Sequence, residues 1–310
     1  MTPLVAVTGA TGFIGQHLLR RLTASGIRVR ALTRKPAAQT TAVEWIAGDL
    51  ANRDALAALV KGATAVVHCA GAIKALGREG FFAVNGEGSR LLAELAAAQA
   101  TCPRFVHVSS LAARAPHLSA YAASKRAGEE YVQAFAPKLP MVILRPPAVY
   151  GPGDPETLRI FKLAAQGFLP APMVTGARLS LVHADDVVSA ILAALEGTPP
   201  QPVPLEFDDG KERGYSWAEV AAIAGQVLNT LPRLVSVPAP LLYAAGAVAS
   251  LGAVLTRRPT VLSWGKVPEL LHPDWVATPM AFPGYKPLWT LEKGFADAVS
   301  WYRSQGLLTS

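Results

Sequence analysis

Short apolar runs alternate with amphipathic stretches along the first half of the chain. Runs of Val, Ala, Ile and Leu without polar interruption are typical of strands buried on both faces of a parallel sheet. Between them, apolar residues recur every three to four positions, as on one face of a helix. The pattern predicts strands at residues 4–7, 29–32, 43–47, 65–69, 105–108 and 141–144. Strands that alternate with helices favour a doubly wound parallel sheet with right-handed crossovers, which is an α/β fold.

The second half of the chain has a different pattern. Beyond Tyr150 prolines become frequent, while helices are still predicted near residues 158–166, 186–195 and 216–228. Ser216 and Glu219 have the spacing of a capping box at the start of the last of these helices. We expect residues 1–165 to form one domain, to which the chain returns near residues 179–200. Residues 166–310 are expected to form mainly a smaller C-terminal region.

The segment between Arg233 and Arg257 contains no charged residue. Pro238 and Pro240 interrupt it, and the remaining residues 241–255 are fewer than the roughly 20 needed to span a bilayer. We interpret this segment as a buried helix. The alternatives are contact with a membrane surface or a partner, and a true membrane span.

Composition narrows the class of protein. The 310 residues are 51% hydrophobic and 16% charged, which is typical of a folded chain and not of a disordered one. Cys69 and Cys102 are the only cysteines, so a disulfide framework is excluded and a reducing compartment is favoured. The net charge is +7, but no run of Lys or Arg exceeds two residues, so we expect no binding to nucleic acid. The N-terminus has no basic or cleavable signal pattern, which predicts a cytoplasmic protein, with a membrane-peripheral location as the alternative.

A glycine-rich loop follows the first strand. Residues 8–15 are TGATGFIG, with glycines at positions 9, 12 and 15. Such glycines allow a tight turn, close approach of a pyrophosphate and close packing of the helix on the sheet, while the helix amides attract the anion. The loop therefore predicts a dinucleotide site in a Rossmann-type domain. Its predicted contacts are Gly9, Thr11, Gly12, Phe13, Ile14 and Gly15.

The end of the second strand indicates which dinucleotide is bound. A site specific for NAD usually carries Asp or Glu there, whereas this chain has Thr33, Arg34 and Lys35. The Arg34 guanidinium can bind a 2′-phosphate with its planar fork, so NADP is the expected cofactor and NAD the alternative. Both cations could instead be ordinary loop charges. Asp49 and Leu50 follow the third strand, where Asp49 could accept from the adenine amino group or cap a turn.

Tyr121 and Lys125 carry the predicted chemistry. On a helix, residues four positions apart project from the same face. A nearby ammonium group and an oxidised nicotinamide ring both favour the phenolate form of a tyrosine, which makes it a usable acid/base. Ser109 and Ser110 follow the fifth strand, at the end of the sheet where ligands bind, and a serine there can stabilise a developing oxyanion.

The fourth strand ends beside that position. Cys69, Ala70 and Gly71 are small, which lets a cofactor approach the backbone. We therefore add Ala70 and Gly71 to the predicted cofactor contacts.

Taken together, these motifs resemble the extended short-chain dehydrogenase/reductase superfamily, which includes the NAD-dependent epimerase/dehydratases and the 3β-hydroxysteroid dehydrogenase-like proteins. Residues 84–88 (VNGEG), 144–152 (LRPPAVYGP) and 181–187 (LVHADDV) extend the resemblance over most of the chain. It implies that Tyr121 is the acid/base, that Lys125 lowers its pKa and binds the nicotinamide ribose, and that Ser110, with Ser109 as the alternative, positions the substrate. It also implies that the C-terminal region binds the substrate.

Two features depart from that family pattern. Leu111, Ala112 and Ala113 follow Ser110 where sugar-nucleotide dehydratases place an acidic pair, so elimination of water by that route is not expected. The segment between Ser110 and Tyr121 is also shorter than in many extended members. A sugar site therefore cannot simply be carried over from the family.

The sequence thus predicts an NAD(P)-dependent oxidoreductase that transfers hydride between nicotinamide and a secondary alcohol or ketone. We expect an apolar small-molecule substrate, steroid- or terpenoid-like, because residues 234–256 offer no cation to a diphosphate. Arg145, Arg159, Arg178 and Arg213 could supply such cations, which keeps a nucleotide-sugar epimerase as an alternative. A non-catalytic scaffold or redox sensor, resembling the complex I accessory subunit, is the other. No metal site is predicted, and a homodimer is left open.

Overall fold

The computed structural model describes residues 3–35, 42–197, 203–280 and 282–308. The chain forms two compact units. The first consists of Met1–Arg145, Val188–Leu205 and Ala281–Tyr285, and the second of Pro146–Val187, Glu206–Met280 and Lys286–Ser310. The division therefore falls at Arg145 instead of residue 165, and the returning segment begins at Val188.

The elements follow one another in the order expected for an alternating α/β chain. The β-strands are β1 (Leu4–Thr8), β2 (Arg28–Thr33), β3 (Val43–Ala47), β4 (Ala65–His68), β5 (Arg104–Val108), β6 (Met141–Arg145), β7 (Ala148–Tyr150), β8 (Phe168–Pro172), β9 (Arg178–Leu179), β10 (Leu181–His183), β11 (Leu205–Glu206), β12 (Arg233–Val237) and β13 (Asp274–Trp275). The α-helices are α1 (Phe13–Ala24), α2 (Arg53–Val60), α3 (Gly77–Phe82), α4 (Gly88–Ala97), α5 (Ala120–Gln133), α6 (Pro155–Ala165), α7 (Ala184–Glu196), α8 (Trp217–Leu228), α9 (Ala239–Thr256), α10 (Val267–Leu270) and α11 (Leu291–Ser304).

A seven-stranded sheet forms the centre of the first unit. Its strand order is β11-β6-β5-β4-β1-β2-β3, and the pairs among β1 to β6 are parallel. The order reverses between β1 and β4, so this is the doubly wound sheet predicted from the sequence, with all six predicted strands present. Ligands bind in such sheets beyond the carboxyl ends of the strands, at the point where the order reverses.

Apolar side chains on one face of this sheet fix its position against the helices. Leu56 and Leu92 from the helices, with Leu139 from the segment between α5 and β6, pack with Val66 and Phe105 from the strands. All five are fully buried. Burial of this kind contributes roughly 1.5–3 kcal/mol for each large side chain. The packing holds the carboxyl ends of β1, β4 and β5 in fixed relative positions.

The second unit has its own aromatic core. The rings of Phe161 and Phe295 meet edge to face at 4.9 Å, and the Tyr302 hydroxyl donates to the carbonyl oxygens of Gly151 and Asp154. The predicted capping box is present at the start of α8, where Ser216 and Glu219 each cap the other's backbone amide.

The interpretation of the uncharged segment as a buried helix is wrong. Residues 239–256 do form a helix, α9, but only Gly246 and Ala253 are buried in it. By length and composition α9 could cross a membrane, with a mean hydropathy of 1.6 over its 18 residues. Apolar residues on every side of a helix predict that it lies in an apolar environment. They do not show whether that environment is the protein core, a membrane or a partner protein.

Candidate active site

The glycine-rich loop turns tightly between β1 and α1. Gly9 has a φ of +73°, and a Cβ added there would lie 2.5 Å from the Ala70 amide nitrogen. A Cβ on Gly15 would overlap the Gly9 carbonyl oxygen, so α1 can start this close to β1 only with glycine there. Gly12 caps α1 and its amide donates to the Gly9 carbonyl at 2.9 Å.

The exposed side of this loop is suited to an anion. Thr11 is exposed, while Phe13 and Ile14 open α1, whose first-turn amides have no acceptor within the helix. No acidic side chain lies in the first turn. A pyrophosphate would therefore meet backbone donors and the positive end of the helix dipole.

Ala70 and Gly71 extend from the neighbouring strand, β4. The Ala70 amide donates to Thr8 Oγ1 at 3.3 Å, which joins this segment to the end of β1. A Cβ on Gly71 would lie 3.5 Å from Lys125 Nζ. Gly71 is thus the point at which β4 approaches the predicted catalytic helix.

Arg34 and Lys35 follow β2, the strand next to β1, and both are exposed. Thr33 organises their turn, because its hydroxyl donates to the Lys35 carbonyl at 2.8 Å and accepts from the Lys35 amide at 3.2 Å. The turn leaves the guanidinium of Arg34 on the surface, beside the strand that carries the glycine loop.

Asp49 has a structural role at the end of β3. Its Oδ1 accepts from the amides of Ala51 and Asn52, at 2.9 and 3.1 Å, so it caps the turn into α2. The residue is exposed, and its contact with adenine stays a prediction. Leu50 is buried in the core and packs against Gly88 at the start of α4.

Tyr121 and Lys125 lie on α5 as predicted. The helix begins at Ser119, whose hydroxyl accepts from the Ala122 amide at 3.0 Å. Lys125 is buried, and its Nζ donates to the Val108 carbonyl at 2.9 Å, at the end of β5. Burial lowers the pKa of Lys125 to about 8, and the neighbouring Glu129 opposes that shift. The Tyr121 ring is half-buried and meets Phe81 edge to face at 6.0 Å.

The two serines after β5 have different partners. Ser109 is buried and its hydroxyl donates to Glu129 Oε1 at 2.5 Å. Ser110 is less buried, and its Oγ accepts from the Ala112 amide at 3.2 Å. That arrangement leaves the O–H of Ser110 able to donate to a ligand, whereas Ser109 is committed to the carboxylate.

A buried ion pair behind α5 was not foreseen from the sequence. Arg145 donates to both carboxylate oxygens of Glu129, with Nε at 2.9 Å and Nη2 at 2.6 Å. Arg145, proposed above as a cation for a substrate phosphate, is therefore committed to Glu129. The available signal was the spacing of Tyr121, Lys125 and Glu129, which repeats every four residues along one face of α5.

Asn85 is a second buried polar residue that the sequence did not assign. Its side chain accepts from the Ala72 amide at 2.7 Å, and it donates to the Ala72 carbonyl at 3.0 Å and to Ser124 Oγ at 2.9 Å. It lies in the π-helical turn Ala83–Glu87, and π-helical turns are frequent at functional sites. Gly128 lets α5 pack directly on the Asn85 carbonyl. Asn85 thus connects α5 with the segment after β4.

Two buried histidines lie under the site. His68 is hydrogen-bonded through Nδ1 to Thr8 Oγ1, at 2.6 Å, and through Nε2 to Ser89 Oγ, at 2.9 Å. Burial, assisted by the Lys125 charge, lowers the pKa of His68 to about 3. The ring nitrogens of His107 have no hydrogen-bond partner among the described residues, and burial lowers its pKa well below the ordinary value.

Because the pKa values of these two histidines are lowered, we expect acid to reduce the free energy of unfolding. The unfolded state binds a proton on each ring near pH 6.5 while the folded state does not, so the folding contribution is complete above pH 6.5 and is lost as the pH falls toward 3. The free energy of unfolding should fall by about 1.4 kcal/mol per pH unit for each of His68 and His107. Urea titrations from pH 7 to 4 measure this slope.

A substitution tests whether the buried histidines cause this pH dependence of the free energy of unfolding. His107→Leu should reduce it by about half, because the leucine cannot bind a proton while His68 still does. His117→Leu at an exposed position is the matched control. An unchanged slope in His107→Leu would contradict the assignment.

The loop, the strand ends and α5 together define an NAD(P)-dependent oxidoreductase or epimerase of the short-chain dehydrogenase/reductase type. The chain matches the model of the NAD dependent epimerase/dehydratase family over residues 5–203, and it belongs to that family. It is 44% identical to the ceramide reductase of Caulobacter vibrioides, over 98% of this chain and 96% of that protein.

Two solved structures show the same fold. The crystal structure of gox2253 is similar at a TM-score of 0.76 and 22% identity, over 100% of both chains. The UDP-glucuronic acid 4-epimerase from Bacillus cereus in complex with NAD is similar at a TM-score of 0.72 and 19% identity, over 97% of this chain and 96% of that one. The family resemblance and enzyme class predicted from the sequence are confirmed, with a nicotinamide dinucleotide as cofactor.

The residues present fit such a cofactor. A side chain at Gly9 or Gly15 would fill the space in which the loop turns, and the free amides of α1 provide donors for phosphates. The buried ammonium group of Lys125 is a further donor, at the end of β5. A bound nicotinamide dinucleotide supplies or accepts the hydride.

Proposed function

We propose that this protein is a reductase that converts the keto form of a ceramide-like lipid to its secondary alcohol, with NADPH as hydride donor. The observation that carries the proposal is the 44% identity to a ceramide reductase over nearly the whole of both chains. Ser110, Tyr121 and Lys125, which the chemistry requires, are all present. A keto lipid is also in accord with the apolar ketone expected from the sequence, although it is neither a steroid nor a terpenoid.

The proposed roles are those that the family resemblance implies for each residue. Ser110 donates a hydrogen bond to the carbonyl oxygen of the substrate, which polarises the C=O bond. Tyr121 gives its phenolic proton to that oxygen as negative charge develops on it. Lys125, fixed by the Val108 carbonyl, stabilises the resulting phenolate by its charge. In the direction of alcohol oxidation, Tyr121 takes the proton instead.

The choice of a lipid over a sugar nucleotide is supported by two of the four arginines that could have served a diphosphate. Arg145 is paired with Glu129, and Arg178 donates to the carbonyl oxygens of Arg213 and Gly214, at 2.6 and 2.7 Å. Neither guanidinium is free to bind a diphosphate without giving up these partners.

A cavity of about 330 Å³ lies in the second unit. Its walls combine apolar side chains, such as Met173, Trp217 and Leu234, with the polar side chains of Arg178 and Ser236. A mixed lining of this kind suits a ligand that has both apolar and polar parts.

Arg34 is expected to make NADPH bind more tightly than NADH. A charge-assisted contact with the 2′-phosphate contributes about 1.5–3 kcal/mol, or roughly 10- to 150-fold in Kd. Arg34→Ala should lose that margin for NADPH and leave NADH binding nearly unchanged, as measured by fluorescence titration. Arg28→Ala, an exposed arginine at the other end of β2, is the control. Equal affinities of the wild type for both dinucleotides would contradict the proposal.

The substrate is tested by turnover. We expect loss of NADPH absorbance with an N-acylated long-chain amino ketone in mixed micelles, and a product that has gained two hydrogens by mass spectrometry. UDP-glucose and UDP-glucuronate are the comparison substrates, since an epimerase would convert each of them to its own epimer without net NADPH consumption. Epimerisation of either sugar together with no reduction of the keto lipid would replace this proposal with the epimerase.

The cytoplasmic location stays a proposal as well. Cys69 and Cys102 are free thiols, in accord with a reducing compartment.

A further inference from the structure

Helix α9 carries an exposed apolar stripe, formed by Leu241, Ala244, Val248, Leu251 and Leu255. These residues follow one another at intervals of three and four, so they share one face of the helix. The large side chains are 60 to 76% exposed, which is unusual for so many apolar residues on one element. Contiguous apolar surface of this kind marks an interaction site.

The free charges that flank α9 in the chain are basic, while Lys266 is paired with Glu269 at 2.5 Å. From residue 220 to residue 268 the chain contains no Asp or Glu, but it contains Arg233, Arg257, Arg258 and Lys266. Arg257 and Arg258 follow α9 directly and are exposed. Such a surface is complementary to an anionic apolar phase, because its apolar side chains can enter the acyl region while its arginines meet lipid headgroups.

The other side of α9 is fastened to its own domain. Gly246 lets the helix pack on the backbone of Ser263 and Trp264, where an added Cβ would lie 3.0 Å from the Trp264 nitrogen. That amide also donates to Ser250 Oγ at 3.0 Å. A helix held at its middle in this way can lie in a membrane surface, but it would have to leave these contacts to cross the bilayer.

An aromatic pair lies on the fastened side of α9, away from the stripe. The Trp264 ring is 4.7 Å from the ring of Tyr243. This ring contact adds to the backbone contacts that hold α9 on its own unit.

We propose that α9, with Arg257 and Arg258, docks this protein on the surface of an anionic lipid membrane, with the helix lying in the plane of the interface. A second copy of the chain is a poorer occupant, because the stretch that carries the arginines has no carboxylate with which a second copy could pair them. The proposal goes beyond the reductase activity, since it assigns a binding surface that does not depend on what the enzyme reduces.

Vesicle flotation tests the proposal without substrate or dinucleotide. The wild type should float with phosphatidylcholine vesicles that contain about one third phosphatidylglycerol, and weakly or not at all with phosphatidylcholine alone. Val248→Glu/Leu251→Glu should abolish binding. Arg257→Gln/Arg258→Gln should weaken it about 25-fold, because each basic residue near an anionic surface contributes about fivefold.

Two control variants match these changes elsewhere on the surface. Leu231→Glu alters a leucine that is 97% exposed but lies outside α9, and Arg20→Gln/Arg21→Gln alters an exposed adjacent arginine pair on α1. Both should float like the wild type. Circular dichroism and NADPH binding establish that every variant is folded.

Three results would overturn the proposal. One is absence of wild-type binding to the anionic vesicles, or equal loss in the controls. Another is a dimer, seen by sedimentation without lipid, that Val248→Glu/Leu251→Glu dissociates, which would assign the stripe to a second copy. The third is retention in the bilayer after alkaline extraction, which would indicate a spanning helix. If flotation fails while the keto lipid is still reduced, only the docking surface is refuted.

Discussion

Tyr121→Phe is expected to lower turnover about a thousandfold or more and to leave the affinity for NADPH nearly unchanged. The substitution removes only the phenolic oxygen, so the ring keeps its edge-to-face contact with Phe81. The loss follows because the substitution removes the proposed general acid, and general acid catalysis contributes about 10²- to 10⁴-fold. Steady-state kinetics with the keto lipid and fluorescence titration with NADPH measure the two quantities.

Lys125→Met separates the role of the lysine from that of the tyrosine. We expect both turnover and NADPH affinity to fall, because Lys125 is assigned to the phenolate and to the ribose. Arg126→Met, which changes a neighbouring cation on the exposed side of α5, should affect neither. Near-normal turnover of Tyr121→Phe would show that Tyr121 is not the acid/base.

The sheet and the glycine loop could be predicted because their signals are local. A strand buried on both faces needs an unbroken apolar run, so β1, β4, β5 and β6 are visible in the sequence itself. The loop needs glycines at positions where a Cβ would collide with backbone, as at Gly9 and Gly15. In both cases the physical requirement acts on residues that are close together in the chain.

The supports of the site could not be predicted because they join distant segments. One support joins three segments: Ser109 directly follows β5, Glu129 lies on α5, and Arg145 ends β6. Nothing in the spacing of these residues along the chain shows that they meet. The sequence suggested Arg145 as a cation for a ligand because an arginine near a strand end serves either purpose. Its actual role depends on the face of α5 that packs against the sheet.

The exposure of α9 was mispredicted for a different reason. Its apolar residues occupy all sides of the helix, so the sequence predicts an apolar environment for it. The sequence does not show whether that environment is the protein core, a membrane or a partner. The structure shows Gly246 against Ser263 on one side and the exposed stripe on the other. A hydropathy pattern measures transfer from water and carries no information about which apolar phase receives the helix.

Glu129→Gln is expected to lower the free energy of unfolding by about 3–5 kcal/mol. The side chain of Glu129 is 1% exposed and that of Arg145 is 11% exposed, so neutralising the carboxylate leaves a guanidinium charge inside the protein without its counter-ion. The cost of that unpaired charge is large because water cannot reach it. Urea denaturation at pH 7 measures the change.

The same substitution one residue further along α5 provides the control. Glu130 pairs with Arg126 at 2.8 Å, but both side chains are about half exposed, so Glu130→Gln should cost less than about 1 kcal/mol. Glu129→Gln/Arg145→Met, which removes both charges, should recover much of the lost stability, since no buried charge then remains unpaired. If Glu129→Gln cost no more than Glu130→Gln, the buried pair would not be what fastens α5, and with it Tyr121 and Lys125, to the sheet.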